Sequence, residues 1–600
     1  MNQKKQPRTT ATNKKKAAEI FSKLTATRWL PITLLMIVCI VLYFNSLSNK
    51  FVYDDYAVIV ENKHIQHPVK SFPSFFNHSY FTIAAGEASY RPLATLSYYL
   101  IYAIVGLNPF GYHLFSVLLH LANVVWVYLL VNLILKQRFT ALIAGLVFAC
   151  HPVLTEAVNC IAFNEDLLAA CFYLLAFIFC LKSSTKGLIT NIKNYVLSLL
   201  FFLLGLLSKE MAITLPAIIV LYDLSIKNEA DRPSFSLHLI LATLKNRMLF
   251  YAGYLAVGLF YLSIRFILLH NPEESIRPFF GSLWERVIFL PGHIFSFIKL
   301  SFFPVNLTAD YVFSYPHHFF SASNLIGFLF VAGLAVLSVF IFKHSRAIFF
   351  GIWWFFITLF PVYNLITIYN PFAERYLYIP LIGFCMAVAM AFNTLITKRL
   401  SETVPIQVLS SVAIIVILSL YSTVTIARNR DWKDNLTLWS KTVITSPGST
   451  IAHGSLGRAY QDQGRLQEAI RSYKKAIELY PGNYKAFHNL GVIYAGQGAL
   501  KEAVANYKRA VDINPAFVEA QFNLGNIYHN QGLLEAAVQQ YRKVTELDPA
   551  DFEARNNLGV AYAKQGKMDK AIVQWEKVLM IDPQNESAAD NIRKAKEVTD

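Results

Sequence analysis

Charge is scarce in this chain. Asp, Glu, Lys and Arg together make up 15% of 600 residues, while hydrophobic types make up 55% and mean hydropathy is +0.40. That balance excludes an ordinary soluble protein. Cysteine is sparse as well. The six cysteines, Cys39, Cys150, Cys160, Cys171, Cys180 and Cys385, all lie in or beside apolar runs, and none follows Cys385. They form neither a disulfide framework nor a metal-ligand spacing, and read as small apolar residues. No small-residue cleavage site follows the basic N-terminus and its apolar stretch, so the stretch reads as an uncleaved span. A concentrated basic surface is missing too, despite a formal charge of +16. Lys and Arg gather in the N-terminal tail (Lys4, Lys5, Arg8, Lys14, Lys15, Lys16) and in short loops between apolar runs. This is the distribution of a membrane protein and excludes nucleic acid as a partner.

What the chain does have is apolar runs of about 20 residues, the length that crosses a bilayer. Eleven spans are expected, at roughly 29–47, 112–135, 139–155, 166–182, 194–208, 211–226, 248–269, 323–343, 346–366, 376–397 and 404–427. Residues 92–106 and 284–303 are also apolar but are flanked or interrupted by Arg91-Pro92, Pro291, Lys299 and Pro304. They read as interfacial or re-entrant helices, whose backbone must be covered by protein. With a cytoplasmic basic tail at 1–28, eleven crossings put Lys136/Arg138, Lys182/Lys186/Lys193, Lys227/Arg232/Lys245/Arg247, Lys343/Arg346 and Lys398/Arg399 on the inner side. Counting 284–303 as a crossing moves the last two groups outside, against the charge rule. The first outer loop (48–111), the late outer loop (270–322) and everything after 427 then share the outer face. The membrane domain is 29–427.

The section after 427 is repetitive. Leu456-Gly457, Leu490-Gly491, Leu524-Gly525 and Leu558-Gly559 recur every 34 residues. Tyr460, Tyr494, Tyr528 and Tyr562 keep that step, as do Gly464, Gly498, Gly532 and Gly566, and Ala469, Ala503, Ala537 and Ala571. Tyr473, Tyr507, Tyr541 and Trp575 follow, and Pro481, Pro515, Pro549 and Pro583 close each unit. Seven positions in phase over four units are the tetratricopeptide pattern, a helix pair per repeat. Residues 450–585 are four repeats, 428–449 a preceding half-repeat marked by Trp439 and Pro447, and 586–600 a polar capping helix. The fold class is all-α: a multi-span membrane domain and a C-terminal α-solenoid.

Just past the first span stand two adjacent acids, in Phe51-Val52-Tyr53-Asp54-Asp55-Tyr56. Paired carboxylates at a membrane surface suit acid–base chemistry on a lipid-borne substrate. The plain alternative is that both cap the helix after them.

Several further stretches carry a resemblance. Phe51-Val52-Tyr53-Asp54-Asp55, Arg91-Pro92-Leu93, Gly106-Leu107-Asn108-Pro109-Phe110-Gly111-Tyr112-His113, His151-Pro152-Val153-Leu154-Thr155-Glu156-Ala157-Val158, Leu207-Ser208-Lys209-Glu210 and Ala373-Glu374-Arg375-Tyr376-Leu377-Tyr378-Ile379-Pro380 occur in order. With the repeat array, they resemble the transmembrane and tetratricopeptide-repeat O-mannosyltransferases, relatives of the protein O-mannosyltransferases in the GT-C glycosyltransferase superfamily. Two features depart from that pattern: Asn164-Glu165-Asp166 stands where a Gly/Arg-type segment is expected, and the array is short. The resemblance implies a GT-C fold, a sugar, mannose, on a polyprenyl (dolichyl or undecaprenyl) phosphate, and a Ser or Thr hydroxyl acceptor. The lipid-phosphate sugar is then a substrate, and no cofactor or metal is required.

Such a transfer needs a base for the hydroxyl, for which Asp54 and Asp55 are the candidates, only one of them facing the acceptor. Inversion needs one catalytic acid group rather than a glycosidase pair. The departing phosphate needs positive charge. Arg375 is the first candidate, its planar fork suited to phosphate oxygens, with Arg91 and Lys209 after it. His151, Glu156 and Asp166 bracket another outer turn and, with Glu374 and Asp310, are pocket candidates; plain polar turns are the alternative. His151 and Glu156 lack the second His of a zinc helix motif, so no metal is assigned. In the array, Asn489, Asn523 and Asn557 recur just before Leu-Gly. A ladder of asparagines in the groove hydrogen-bonds an acceptor protein or peptide backbone without reading its sequence; the alternative is a solvated or intrahelical asparagine.

Two rival readings stand beside this one: a membrane-anchored repeat scaffold without catalysis, and a ligase or polymerase of lipid-linked glycans of the O-antigen type. The expected location is a bacterial or archaeal cell membrane with the repeats outside, or the endoplasmic reticulum membrane with lumenal repeats in a eukaryote.

Overall fold

The computed structural model describes residues 29–84, 89–183, 188–227, 237–270, 283–312, 322–365, 370–397 and 404–599. The expected basic tail lies outside the described residues. The described residues are helical, with no strand among them, and the chain forms two compact units, 1–438 and 439–600.

In the first unit the longer helices are α1 (Leu30–Tyr43), α2 (Pro92–Val105), α3 (Pro109–Leu135), α4 (Arg138–Cys150), α5 (Thr155–Asn159), α6 (Asn164–Ser183), α7 (Leu188–Ser208), α8 (Leu215–Tyr222), α9 (Met248–Ser263), α10 (Leu283–Phe302), α11 (Ala322–His344), α12 (Arg346–Leu359), α13 (Pro380–Thr397) and α14 (Val404–Asp431). Seven stretches are long and apolar enough to cross a membrane alone: Leu30–Ser48, Pro109–Leu135, Ile161–Ser183, Asn191–Ser208, Met248–Leu268, Asn324–His344 and Leu409–Asp431. An eighth is α4 with Pro152–Asn159, bent by 53°. The bend falls at His151, which Pro152 holds in extended backbone, as the residue before a proline prefers.

Contacts supply three further crossings. They sort helix ends onto two faces. On one, Lys209 pairs with Asp166 and Arg265 lies 3.9 Å from Glu210. On the other, Arg247 pairs with Asp223 and Asn393 Nδ2 donates to Gln137 Oε1 at 3.0 Å. The passage 210–227 starts beside Lys209 on the first face and ends with the Ser225 carbonyl accepting from Arg346 on the second, at 3.4 Å. It crosses although it is assembled from a 3-10 turn, the short α8 and a π turn. Helices α12 and α13 are an antiparallel pair: Trp354 donates to the Ile379 carbonyl (3.0 Å), and a Cβ on Gly351 would lie 2.6 Å from the Gly383 carbonyl.

Two apolar helices do not cross. A Cβ on Gly327 would meet the Pro291–Gly292 backbone at 2.7 Å, and Phe295 meets Phe330 edge-on at 5.2 Å. These contacts advance in the same direction along α10 and α11, so the two run parallel and the chain turns back between them. Thr308, six residues past α10, already bonds Glu374 near the start of α13. Helix α10 is therefore re-entrant. Helix α2 starts at Arg91 and leads within a few residues into α3, both ends on the first face, with Leu100 and Ile104 exposed.

The second unit stacks helix pairs Thr450–Asp462/Leu466–Leu479, Tyr484–Gly496/Leu500–Ile513, Val518–Asn530/Leu534–Leu547 and Phe552–Lys564/Met568–Ile581, then Glu586–Thr599. The repeating glycine before the hinge has a steric cause. A Cβ on Gly457, Gly491, Gly525 or Gly559 would lie 2.5–2.8 Å from the ring of Tyr473, Tyr507, Tyr541 or Trp575. Those rings are buried against the opposing helix backbone. Only glycine lets them pack there.

Candidate active site

The loop after the first span separates the two acids. Asp55 is fully buried. Its Oδ2 accepts from the Val52 N–H (3.0 Å) and its Oδ1 from the Ala162 N–H (2.8 Å) and, weakly, the Cys160 thiol (3.5 Å). It staples the loop to the turn before α6. Burial pushes its carboxyl up to about 7 against the pull of those donors.

Asp54 points elsewhere and is exposed. Desolvation by the surrounding protein nevertheless pushes its carboxyl up; Arg375 pulls it back, Glu165 and Glu156 push it further, and it stands at about 6. The charges of Arg375, Glu165 and Glu156 reach Asp54, and the accessible space among these groups is the candidate recess. The residue before it, Tyr53, has φ +54°, a conformation costing a non-glycine residue about 1–2 kcal/mol.

The cations beside the recess are paired. Arg375 donates from Nη1 to Glu156 Oε1 (2.5 Å) and from its backbone N to Glu156 Oε2 (2.9 Å), with its guanidinium 3.9 Å from the Phe163 ring centroid. Among the described residues, no hydrogen-bond partner meets its Nε or Nη2. Lys209 bridges Glu165 (2.8 Å) and Asp166 (2.7 Å). Glu165 also takes Arg91 at 2.6 Å, and Arg91 reaches on to Glu210 at 2.8 Å. The alternating line Asp166–Lys209–Glu165–Arg91–Glu210 thus joins α2, α6, α7 and the start of the 210–227 passage. Tyr376 lies between its end and Arg375, with Lys209 5.7 Å and Arg375 5.1 Å from the ring. Of the residues singled out from sequence, Asp54, Arg375, Glu156, Asp166, Lys209 and Arg91 are brought together here. Glu165 and Glu210 were missed as site residues, although both stood in quoted segments. Neighbouring acids at a helix start look like ordinary capping, and nothing local shows which cation they meet.

Glu374 supports the site from behind. Its Oε1 accepts from the Thr308 N–H (2.7 Å), the Tyr311 hydroxyl (3.0 Å) and Arg428 (3.3 Å). It pins Thr308 and Tyr311 to the start of α13. Burial pushes its carboxyl up to about 7, with Arg428 opposing. Asp310 is buried in the same loop, and its charge acts on Tyr53. His151 is not part of the recess. Its Nε2 meets the Ser301 carbonyl (2.9 Å), its Nδ1 accepts from the Val153 N–H (3.4 Å), and its ring packs on Tyr421 at 4.8 Å. It fixes the bend of the eighth span against the re-entrant helix.

An apolar cavity of about 580 Å³ opens between the start of the 210–227 passage, α10, α11 and α12, lined by Ile213, Ile294, Leu334, Trp353, Phe356 and Tyr363. Thr214 also lines it, four residues beyond Glu210 of the ion-pair line.

In the array the asparagines are half-buried; Asn489 bonds its neighbour in the same helix, while Asn523 and Asn557 bond across helices. Asn489 Oδ1 lies 3.2 Å from His488 Nδ1, Asn523 Nδ2 3.0 Å from His488 Nε2, and Asn557 Nδ2 donates weakly to Asn526 Oδ1 (3.4 Å). Each amide keeps capacity beyond these bonds.

Comparison with known proteins agrees with both units. Residues 91–245 match the dolichyl-phosphate-mannose-protein mannosyltransferase family, and 457–498, 494–532, 526–566 and 552–585 match tetratricopeptide repeats. The first match contains Arg91, Glu156, Glu165, Asp166 and Lys209. Protein O-mannosyl-transferase TMTC3 of Mus musculus is 26% identical over 479 residues, covering 74% of this chain and 50% of the relative. TMTC1 of Homo sapiens is 28% identical, covering 73% and 54%. TMTC2 of Homo sapiens is 37% identical over 187 residues, covering 30% and 22%. The chain spans about half the length of the first of these relatives. Among solved structures, YrrB, described as a TPR protein with an unusual peptide-binding site, is 26% identical, covers 33% of this chain and 96% of that one, and has a TM-score of 0.24. The chain thus matches the dolichyl-phosphate-mannose-protein mannosyltransferase family over 91–245 and tetratricopeptide repeats over 457–585, and the relatives it resembles are named protein O-mannosyl-transferases.

Proposed function

We propose that the protein is a GT-C-type glycosyltransferase of the membrane's outer or lumenal face. It moves one mannose from a polyprenyl phosphate to a Ser or Thr hydroxyl of a protein held by the repeat array. The observation that carries this reading is the division between the two acids: Asp55 is stapled by backbone donors, whereas Asp54 is accessible and desolvated beside Arg375.

In the proposed step Asp54 takes the acceptor hydroxyl proton as that oxygen attacks the anomeric carbon. The bond from that carbon to the phosphate oxygen breaks, the electron pair leaves with the lipid phosphate, and a single displacement inverts the sugar. A positioned base contributes about 10²–10⁴ in rate. The unengaged edge of Arg375 faces the phosphate. Held by Glu156, Arg375 is fixed in place before the phosphate arrives, so little reorganisation accompanies the charge that develops there. The prenyl chain lies in the apolar cavity that begins at Ile213 and Thr214. Asn489, Asn523 and Asn557 offer their remaining amide capacity to the acceptor backbone.

The test is transfer by the purified protein, in lipid nanodiscs, from dolichyl- and undecaprenyl-phosphate mannose to a Ser/Thr-containing protein, read by mass spectrometry. Addition of a single hexose that depends on one of these donors is expected. Absence of transfer from any lipid-phosphate sugar overturns the reading.

A further inference from the structure

Tyr53 holds an unusual conformation, and the structure shows what holds it. Five described non-glycine residues have positive φ: Tyr53, Lys136, His270, Asn306 and Asn364. Lys136 closes α3 in the left-handed conformation common at helix ends. His270 follows the last turn after α9. Asn306 and Asn364 are of a type that tolerates this region. Tyr53 has neither excuse. It is a bulky aromatic in a loop, directly before Asp54.

Its backbone N–H donates to Asn435 Oδ1 at 2.9 Å. Asn435 begins the helix Asn435–Thr445. Asp434 caps that helix, accepting the Thr437 N–H (2.9 Å) and hydroxyl (2.8 Å). The cap leaves the Asn435 amide for Tyr53. A second tie lies alongside, from the Lys50 N–H to the Lys433 carbonyl (2.9 Å). The segment presenting Asn435 is itself anchored: Trp432 is fully buried, and Asn429 bonds the Leu42 carbonyl and Asn45 (both 2.9 Å).

We infer that Asn435 is a positioning residue for transfer: its side-chain oxygen holds Tyr53 in the left-handed region and thereby aims Asp54 into the recess. This rests on Asp54 being the base. The strain at Tyr53 persists because the surroundings over-determine it, the usual condition for strain at a functional site. A carboxylate displaced by about 1 Å loses up to about a hundredfold in rate.

The experiment measures transfer kinetics and thermal unfolding in nanodiscs for Asn435→Ala, Asn435→Asp, Tyr53→Gly, the double variant Tyr53→Gly/Asn435→Ala, and Asp54→Asn. Asn435→Ala is expected to lose about tenfold to a hundredfold in kcat with little change in donor KM. Asn435→Asp keeps the acceptor oxygen and should recover most of that loss. Glycine adopts positive φ at no steric penalty, so Asn435→Ala should lose less in the Tyr53→Gly background than alone. Wild-type kcat in Asn435→Ala, or equal losses in both backgrounds, overturns the clamp while an inactive Asp54→Asn leaves the base standing. Full transfer by Asp54→Asn overturns both.

Discussion

The two units treat charge in opposite ways. In the repeat array, most ion pairs are local and wet: Arg465–Glu468, Lys475–Glu478 and Arg542–Glu546 join residues three or four apart, with side chains 31–69% exposed. Around the candidate site of the membrane unit, three pairs are distant and dry: Lys209–Asp166, Arg375–Glu156 and Arg428–Glu374 join residues 43, 219 and 54 apart, with every side chain at 9% exposure or less. The first kind follows from helical spacing and contributes little. The second has been taken out of water, which is unfavourable unless geometry compensates. A chain with 15% charged residues that still buries several such pairs around Asp54 and Arg375 spends its scarce charge there, as a functional site at a membrane would.

The largest expected difference comes from breaking one pair of each kind. Lys209→Met leaves Asp166 uncompensated and Glu165 with Arg91 alone, and should cost about 3–5 kcal/mol, seen as a steep fall in the thermal midpoint or in folded yield. Lys475→Ala should stay within about 1 kcal/mol. Equal effects would erase the distinction between the units. Next in size is Gly491→Ala. Its methyl would stand 2.7 Å from the Tyr507 ring, and overpacking of this kind costs about 1–3 kcal/mol. Differential unfolding should place that loss in the array, with donor binding unchanged.

The functional contrast is smaller but sharper. In the proposed transfer Asp54 acts deprotonated, and burial holds its carboxyl up at about 6, so kcat/KM should fall below about pH 6 and level off above it. Arg375 lowers Asp54, so Arg375→Met should move that acid limb to higher pH in whatever fraction folds. A limb that moves down, or stays, contradicts the pairing. The smallest effect is expected in the array: replacing Asn489, Asn523 and Asn557 together by Ala should weaken acceptor binding several-fold, by calorimetry with an unmodified acceptor, and leave donor KM unchanged.

What could be read in advance follows the same division. The repeats were legible because each position meets a partner within the same 34-residue unit; Gly457 packs on Tyr473 as Gly491 packs on Tyr507. The crossings were legible from apolar length, including 211–226, whose helix is broken into three kinds of turn but whose apolar run is not. In the candidate site, the sequence singles out Asp54, Asp55 and Arg375 but not the partners each one meets. The partner of Arg375 is Glu156, 219 residues away, rather than its neighbour Glu374. Glu165 joins Arg91 and Lys209 across three helices, and Asn435 reaches back 382 residues to Tyr53. No periodicity records such pairs, because the topology that brings them together is set by the apolar residues between them.

The account rests on the division of labour between Asp54 and Asp55, and parallel assays of Asp54→Asn and Asp55→Asn test it most directly. Asp54→Asn should abolish transfer at an unchanged thermal midpoint, whereas Asp55→Asn, which turns an amide toward backbone donors, should lower the midpoint as well as the rate. Transfer surviving in Asp54→Asn, or the two variants proving interchangeable in both measurements, would contradict it.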